Sequence, residues 1–227
     1  MNIEQARTEF SRFTLSLGLN ISEKQNFQID SFVTELAAAN AKVNLTSDTD
    51  PAKLLLRHMA DGLAAASVLI KEAKNPRPRI LDLGAGGGCI GMAIKIAWPE
   101  ARVTLMESSQ RKYRFLNSMA AHSGLPGLSV SSFHAGQGQP PTSLLDFDAV
   151  LERALAPLPQ SLKLAMPLTA PDGLFLAFQS QAPDPQDASL KRALAAGAAR
   201  LVKSIPYRLP QEEKDRCLAL FRRQESR

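Results

Sequence analysis

The segment at positions 80–91, Ile-Leu-Asp-Leu-Gly-Ala-Gly-Gly-Gly-Cys-Ile-Gly, constrains the fold more than any other feature of the chain. It places a short apolar run directly before a cluster of glycines and a stretch that can continue as a helix. Glycines at such a turn let the backbone adopt positive φ angles and approach a bound ligand closely. A strand, a glycine turn and a helix in this order indicate the first unit of a doubly wound α/β sheet.

Apolar segments of strand length alternate with helical ones beyond this unit. The pattern predicts strands at 79–83, 101–106, 128–133, 147–151 and 173–178, and helices at 90–97, 109–122 and 158–166. Such alternation is typical of a mostly parallel sheet covered on both faces. Residues 200–206 and 216–221 predict two more strands, a hairpin at the sheet edge, and residues 181–187 predict a polar, proline-rich loop.

The first 70 residues have helical rather than strand periodicity. We expect helices at 3–17 and 22–39, and a third that starts at Pro51 and runs to about residue 71. The predicted fold is therefore a seven-stranded, mostly parallel Rossmann-like sheet with a helical cap at residues 1–72 and a core at residues 73–227.

Cysteine content and hydropathy exclude several classes of protein. Two cysteines, Cys89 and Cys217, cannot build a disulfide framework or a four-ligand zinc site, and no metal is expected. The N-terminus lacks the basic start and apolar core of a secretory signal. The chain has no apolar run of about 18 residues, so we expect a cytoplasmic protein without a membrane span.

The positive charge of the chain is concentrated near its C-terminus. Residues 191–227 contain ten Lys or Arg and four Asp or Glu, whereas the other 190 residues contain 17 basic and 18 acidic ones. Clustered positive charge attracts polyanions by releasing their counterions. A solvated charged face is the alternative interpretation of the same pattern.

Two acidic residues at predicted strand ends distinguish between possible cofactors. The spacing Gly86-x-Gly88-x-x-Gly91 matches a dinucleotide-binding pattern. The carboxylate of Asp82 would be unfavourable beside a pyrophosphate, however, because a pyrophosphate is bound by backbone amides at a helix N-terminus. A carboxylate there suits the cationic amino-acid part of S-adenosylmethionine (SAM), and Glu107 at the next strand end suits its ribose hydroxyls. The sequence therefore favours SAM over NAD(P) or a purely structural glycine turn.

Two motifs that would fix the methyl acceptor are missing. The chain lacks the Asn/Asp-Pro-Pro-Tyr/Phe motif of exocyclic-amine methylation and the Pro-Cys nucleophile of pyrimidine C5 methylation. A ring nitrogen with an exposed lone pair, such as N7 of guanine, remains a possible methyl acceptor. Its methylation requires alignment and exclusion of water rather than a base.

Five segments resemble, in the same order, the RsmG family (also called GidB) of bacterial enzymes that methylate guanine N7 in small-subunit ribosomal RNA. The resemblance covers about residues 20–180. Its specific elements are Asn-Ala-Lys-Val-Asn-Leu-Thr at 40–46 and Arg-His-Met-Ala-Asp at 57–61. The others are the glycine loop at 80–91, Arg-Lys-Tyr-Arg-Phe-Leu at 111–116, and Phe-Asp at 147 with Arg-Ala at 153.

The resemblance implies a set of site residues and a substrate. SAM contacts are expected from Asp82, Gly84, Gly86, Gly88, Cys89, Glu107, His134, Ala135 and Arg153. Arg57, His58 and Arg153 are catalytic candidates, and RNA contacts are expected from Arg57, His58, Arg111, Lys112 and Arg114. The alternative interpretation is that Arg57 is an ordinary surface residue of its helix and His58 a partly packed one. Asp61 would then pair with Arg57 at (i, i+4).

Some positions depart from the family pattern. Ala135 stands where an acid is usual, and Gln179-Ser180 stands where Lys-Gly is usual, which affects the expected RNA contacts more than the cofactor. We expect a monomer that acts on small-subunit RNA or its particle and not on DNA. A SAM methyltransferase for a small molecule or protein, and a non-catalytic ribosome-binding factor, are the alternatives.

Overall fold

The computed structural model describes residues 1–224, apart from the side chains at positions 42 and 43. Within that range the chain forms a seven-stranded sheet with the order β3-β2-β1-β4-β5-β7-β6. The strands are β1 (Arg79–Leu83), β2 (Arg102–Met106), β3 (Leu128–Ser131), β4 (Phe147–Arg153), β5 (Thr169–Gln179), β6 (Ala199–Tyr207) and β7 (Arg216–Arg223). The predicted seven-stranded sheet is confirmed.

β1 to β5 are parallel, and of the last two strands only β7 runs in the opposite direction. β1 pairs with both β2 and β4 in parallel, so the strand order reverses between them, where open α/β sheets bind their ligands. β7 is antiparallel to both β5 and β6. The predicted hairpin is thus confirmed, but β7 lies inside the sheet and β6 alone forms that edge.

The helices cover both faces of the sheet and build the N-terminal region. They are α1 (Ile3–Ser16), α2 (Glu23–Val43), α3 (Pro51–Lys53), α4 (Ala60–Glu72), α5 (Cys89–Ala97), α6 (Gln110–His122), α7 (Leu158–Ala165) and α8 (Ala188–Ala196). The third predicted helix is interrupted, because Leu54–Met59 forms a π-helical turn between α3 and α4. α8, a short helix that follows the predicted loop, was not predicted from the sequence.

The N-terminal helices share one continuous core with the sheet. Buried side chains of α1, α2 and α4 belong to the same apolar cluster as those of α5, β1 and β2. α4 and α5 touch closely at Gly62, where an added Cβ would lie 2.5 Å from the Cβ of Ala93. This packing fixes the position of α4 relative to the glycine loop. The division into a cap and a core at residue 72 stays a prediction.

No helix among the described residues combines the length and the apolar composition needed to cross a bilayer.

Candidate active site

A cavity of about 220 Å³ opens at the carboxyl ends of β1 and β4. We call it the donor cavity. Its lining combines the glycine loop, the 45–47 turn and side chains from α6 and β4: Leu45, Thr46, Ser47, His58, Asp82, Gly84, Ala85, Gly86, Gly87, Cys89, Ile90, Lys112, Arg153 and Ala154. Of the predicted SAM contacts, this cavity brings together Asp82, Gly84, Gly86, Cys89 and Arg153.

The glycine loop is shaped by positions that admit no side chain. Gly88 caps α5 with a φ of 85°, a left-handed conformation that favours glycine. A Cβ on Gly91 would lie 2.2 Å from a methyl carbon of Leu105 on β2, so α5 can approach the sheet only with glycine there. At Gly84, Gly86 and Gly87 the loop thereby exposes backbone to the cavity.

Asp82 supplies a buried carboxylate at the end of β1. Its Oδ2 accepts a hydrogen bond from the Gly91 amide at 2.8 Å, and only 2% of the residue is exposed. Burial raises the pKa of Asp82 to about 6, because desolvation disfavours the charged form. A carboxylate in this state gains from a cationic partner, since the partner restores the charged form's lost solvation.

Glu107 follows β2, and its carboxylate anchors the glycine loop. Its Oε2 accepts from the Gly86 amide at 2.9 Å and its Oε1 from the Ser109 amide at 2.8 Å. These two bonds leave each oxygen a further lone pair. Glu107 therefore orients the loop and can still accept hydrogen bonds from ligand hydroxyls.

Asn40 organises the turn on the opposite side of the donor cavity. Its side-chain oxygen accepts from the amides of Leu45 and Thr46 at 2.5 and 2.9 Å. Its side-chain nitrogen donates to the carbonyls of Thr46 and Asp48. The Asn-Leu-Thr element noted in the sequence thus has a local structural task, while the side chains of its Lys42 and Val43 lie outside the described residues.

Arg153 stands between the N-terminal helices and the sheet. Its Nη1 donates to Oδ2 of Asp61 at 2.8 Å and its Nη2 to Nδ1 of His58 at 2.5 Å. Because a guanidinium only donates, Nδ1 of His58 is the acceptor and Nε2 carries the proton. That Nε2–H donates to Asp48 at 2.8 Å. The pKa of His58 is lowered by burial and by the charge of Arg153, so the imidazole is neutral at pH 7.

Asp61 is the centre of the same set of contacts. It is fully buried, and besides Arg153 it accepts from Arg216 Nη1 at 3.0 Å and from the Tyr207 hydroxyl at 2.6 Å. Burial, together with the adjacent Asp61 charge, raises the pKa of Tyr207, which stays protonated and donates. These partners come from β4, β6 and β7, so one carboxylate ties an N-terminal helix to three strands.

The predicted pairing of Arg57 with Asp61 is wrong. Arg57 instead contacts Asp48 and Glu212, each at 3.3 Å, and Glu212 in turn accepts from Arg216 at 2.7 and 2.9 Å. The π-helical turn ends between Arg57 and Asp61, and the two side chains point to different surroundings: Arg57 is half-exposed and Asp61 is fully buried.

We call the connected residues the ion network: Asp48, Arg57, His58, Asp61, Arg153, Tyr207, Glu212 and Arg216. Three arginines and three carboxylates balance their charges, with His58 and Tyr207 neutral. We did not predict Asp48, Tyr207, Glu212 or Arg216 as site residues from the sequence. Asp48 lies far from the other three along the chain, so no contiguous motif contains all four.

Several other predicted residues lie outside the donor cavity, whereas Lys112 and Cys89 line it. His134 is exposed and Ala135 half-buried in the segment after β3, and neither lines the donor cavity. Arg111 and Arg114 are exposed at the start of α6, while Lys112 lines the cavity. Cys89 lines it too, and burial raises the pKa of its thiol to about 12. Over residues 1–224, no group of three or more His, Cys, Asp or Glu side chains is placed to hold a metal ion.

The strand order, the glycine loop and the two acids at strand ends define the class I SAM-dependent methyltransferase fold. The precorrin-6y C5,15-methyltransferase of Geobacter metallireducens shares this fold with a TM-score of 0.50, over 70% of this chain and 86% of that chain, at 11% identity. The model of the family described as GidB, rRNA small subunit methyltransferase G, matches residues 25–207. The chain belongs to this family.

Two similar proteins extend the match over most of the chain, and both are described as ribosomal RNA small subunit methyltransferase G. The protein of Myxococcus xanthus is 34% identical, over 91% of this chain and 92% of its own length. The protein of Bacillus pumilus is 32% identical, over 97% and 90%. The resemblance stated from the sequence is confirmed, and family and fold together imply that SAM is used.

Proposed function

We propose that this chain transfers the methyl group of SAM to N7 of a guanine in small-subunit (16S) ribosomal RNA. The observation that carries the proposal is the chemistry of the donor cavity. It offers backbone amides and the Asp82 carboxylate, which we assign to the amino-acid end of SAM, while both ring nitrogens of His58 are engaged and the Cys89 thiol is protonated. Such a site suits an acceptor atom whose lone pair is already available.

The residues of the donor cavity fit SAM. When bound, SAM supplies a methyl group on a cationic sulfur. Asp82 would hold the amino-acid end, because it lines the cavity and, among the described residues, its carboxylate is bonded only to the Gly91 amide. Glu107 would accept from the ribose hydroxyls, and the loop backbone at Gly84, Gly86, Gly88 and Cys89 would pack against the ligand. Contacts of His134 and Ala135 with the adenine stay a prediction.

The nucleophilic side chains of the cavity are unavailable as bases. Both ring nitrogens of His58 are engaged, one by Arg153 and the other by Asp48. The Cys89 thiol is protonated at pH 7, given its pKa of about 12. Methylation of an amine or hydroxyl would need a proton acceptor here, whereas N7 of guanine loses no proton when it is methylated. This favours a ring nitrogen over the small-molecule and protein alternatives.

Arg153 is our candidate for contact with the reacting groups. It follows β4, lines the donor cavity and is held in place by Asp61 and His58. Arg57 and His58 take part in its support through the ion network. A direct contact of either with RNA stays a prediction.

Three basic residues, one of which lines the donor cavity, lie at the start of α6. Lys112 lines it, and Arg111 and Arg114 are exposed on the same helix start. Exposed arginines and lysines near a site bind phosphate and steer a polyanion toward it. We infer that these three residues contact the RNA backbone, and that the protein works as a monomer in the cytoplasm, where ribosomal RNA is found.

The test is methylation of small-subunit RNA from a strain lacking this protein. Naked RNA and the assembled particle are incubated separately with labelled SAM, digested with nuclease and analysed by mass spectrometry. We expect one 7-methylguanosine in one of the two substrates. Label in another nucleoside, or in protein alone, would overturn the proposal.

A further inference from the structure

A second cavity, of about 370 Å³, lies beside the donor cavity. It is bounded by the ends of β4 and β5 and by the turn between β6 and β7, and its lining includes Phe178, Gln179, Ser180, Tyr207 and Arg216. Arg153 and Ala154 line both cavities and separate them. Its volume is within the range of about 300–1,000 Å³ common for ligand sites.

The wall between the cavities is held in an unusual conformation. Ala154 has a φ of 58°, in the left-handed region that non-glycine residues rarely adopt. Arg153 beside it is fixed by Asp61 and His58. Strained backbone of this kind persists where the surrounding structure enforces it, and it is concentrated at functional sites.

The second cavity contains donors and acceptors with a definite arrangement. Arg153 uses Nη1 and Nη2 once each, so three of its five N–H donors have no hydrogen-bond partner among residues 1–224. Gln179 donates its Nε2 to the carbonyl of Phe178 at 2.9 Å, which fixes the orientation of the amide. The acceptor Oε1 of Gln179 is therefore left for a ligand.

These groups match the edges of guanine. Guanine has the acceptors N7 and O6 side by side, and its N1–H and 2-amino donors continue around the ring from O6. With N7 turned toward the donor cavity, O6 would meet the free donors of Arg153, and the N1–H and 2-amino groups would meet an acceptor deeper in the second cavity. Phe178, which is 8% exposed and lines the second cavity, would contribute apolar surface against the flat base.

Resting on the function proposed above, we propose that the second cavity receives the guanine to be methylated and that Gln179 is a specificity-determining residue, accepting from the N1–H and 2-amino edge. Adenine would present a 6-amino donor to Arg153 and an unprotonated N1 to the Gln179 oxygen. Both contacts would be unfavourable, since they oppose donor to donor and acceptor to acceptor.

The first test replaces Gln179 by Leu, which removes the acceptor at similar volume. We expect kcat/KM for small-subunit RNA to fall about 10- to 100-fold, while the Kd of SAM measured by calorimetry changes less than about twofold. Gln179→Glu keeps an acceptor and should retain activity within about threefold of wild type. Gln181→Leu, at an exposed neighbour outside both cavities, is the matched control.

The second test fills the cavity through Ser180→Trp, at an exposed position of its lining, with exposed Ser189→Trp on α8 as control. Methylation should be lost or its KM raised at least about tenfold in Ser180→Trp alone, with SAM binding retained. Wild-type protein that methylates RNA alongside equally active Gln179→Leu and Ser180→Trp variants would overturn the guanine site only. Wild-type protein that methylates no RNA would instead overturn the proposed function.

Discussion

We call residues 82–91 of the glycine loop the donor loop. The donor loop and the ion network both place polar groups beside a ligand, but they do so in opposite ways. In the donor loop, ten consecutive residues, 82–91, place Asp82 and the loop backbone, and side-chain hydrogen bonds join Asp82 to the Gly91 amide and Glu107 to the Gly86 amide, across only 9 and 21 residues. In the ion network, Asp61 meets Arg153, Tyr207 and Arg216 across sequence separations of 92, 146 and 155 residues.

The two arrangements should respond differently to substitution. The donor loop depends on backbone shape, so a side-chain change near it should alter ligand affinity more than folding stability. The ion network carries buried charge, and removal of one partner leaves the others uncompensated in a medium that solvates them poorly. Its residues should therefore affect folding stability and activity together.

The largest effect is expected from Asp61→Asn. The substitution leaves Arg153 and Arg216 without their shared countercharge, and breaking a buried ion pair in this way costs about 3–5 kcal/mol. Urea denaturation should show a loss of that size in the free energy of unfolding, accompanied by loss of methyl transfer. Asp30→Asn, which breaks a surface pair with Arg7 at 3.2 Å, is the control and should cost less than about 1 kcal/mol. Equal losses in the two variants would remove the distinction between the network and an ordinary surface pair.

The same contrast explains what could be predicted from the sequence. The donor loop is contiguous, and the short apolar run before it and the helical stretch after it identify its strand and helix. Asp82 and Glu107 were predicted to bind SAM because they sit at strand ends, whose position in a parallel sheet is fixed by topology. Six of the seven strands lie within about two residues of their predicted bounds for the same reason, and β5 starts four residues earlier.

The ion network could not be predicted in this way. The hairpin of β6 and β7 was expected at the sheet edge, but its amphipathic pattern does not show that Tyr207 and Arg216 reach back to an N-terminal helix. The local rule for helices assigned Asp61 to Arg57, and burial together with the π-helical turn overrode it. Contacts between distant segments depend on the three-dimensional packing, which a single sequence does not encode in any local period.

Glu107→Ala should show the next largest effect, confined to ligand binding. The variant loses the acceptor expected for the ribose and also the bond that holds the Gly86 amide at 2.9 Å. Hydrogen bonds to a charged group are worth about 1.5–3 kcal/mol, so the Kd of SAM should rise about 10- to 100-fold in calorimetry. Glu100→Ala, an exposed glutamate before β2, should bind normally. Unchanged affinity in Glu107→Ala would remove Glu107 from the site.

The affinity for SAM should also depend on pH through Asp82. Its pKa of about 6 means that the carboxylate is charged at pH 7 and protonated at pH 5. Protonation removes the attraction for the cationic end of SAM, so binding should weaken as pH falls through 6, about tenfold between pH 7 and pH 5. The pH dependence of SAM affinity should be absent in Asp82→Asn. Any pH dependence that remained in this variant would be assigned to another group, such as His58. A flat wild-type profile would contradict the assigned role of Asp82.

The smallest effect is expected outside both regions, from the double variant Arg111→Ala, Arg114→Ala. These exposed side chains are expected to contact phosphate, and each contact contributes about 0.7–0.9 to the slope of log affinity against log salt concentration. The variant should raise KM for RNA severalfold at low salt and lower the slope by about 1.5, with SAM affinity and unfolding free energy unchanged. The control is Lys71→Ala, Arg77→Ala, which removes two exposed charges close to the amino end of β1, opposite the donor cavity. An equal fall in slope for both variants would mean that RNA affinity depends on the net charge of the protein. The start of α6 would then not be part of the RNA-binding face.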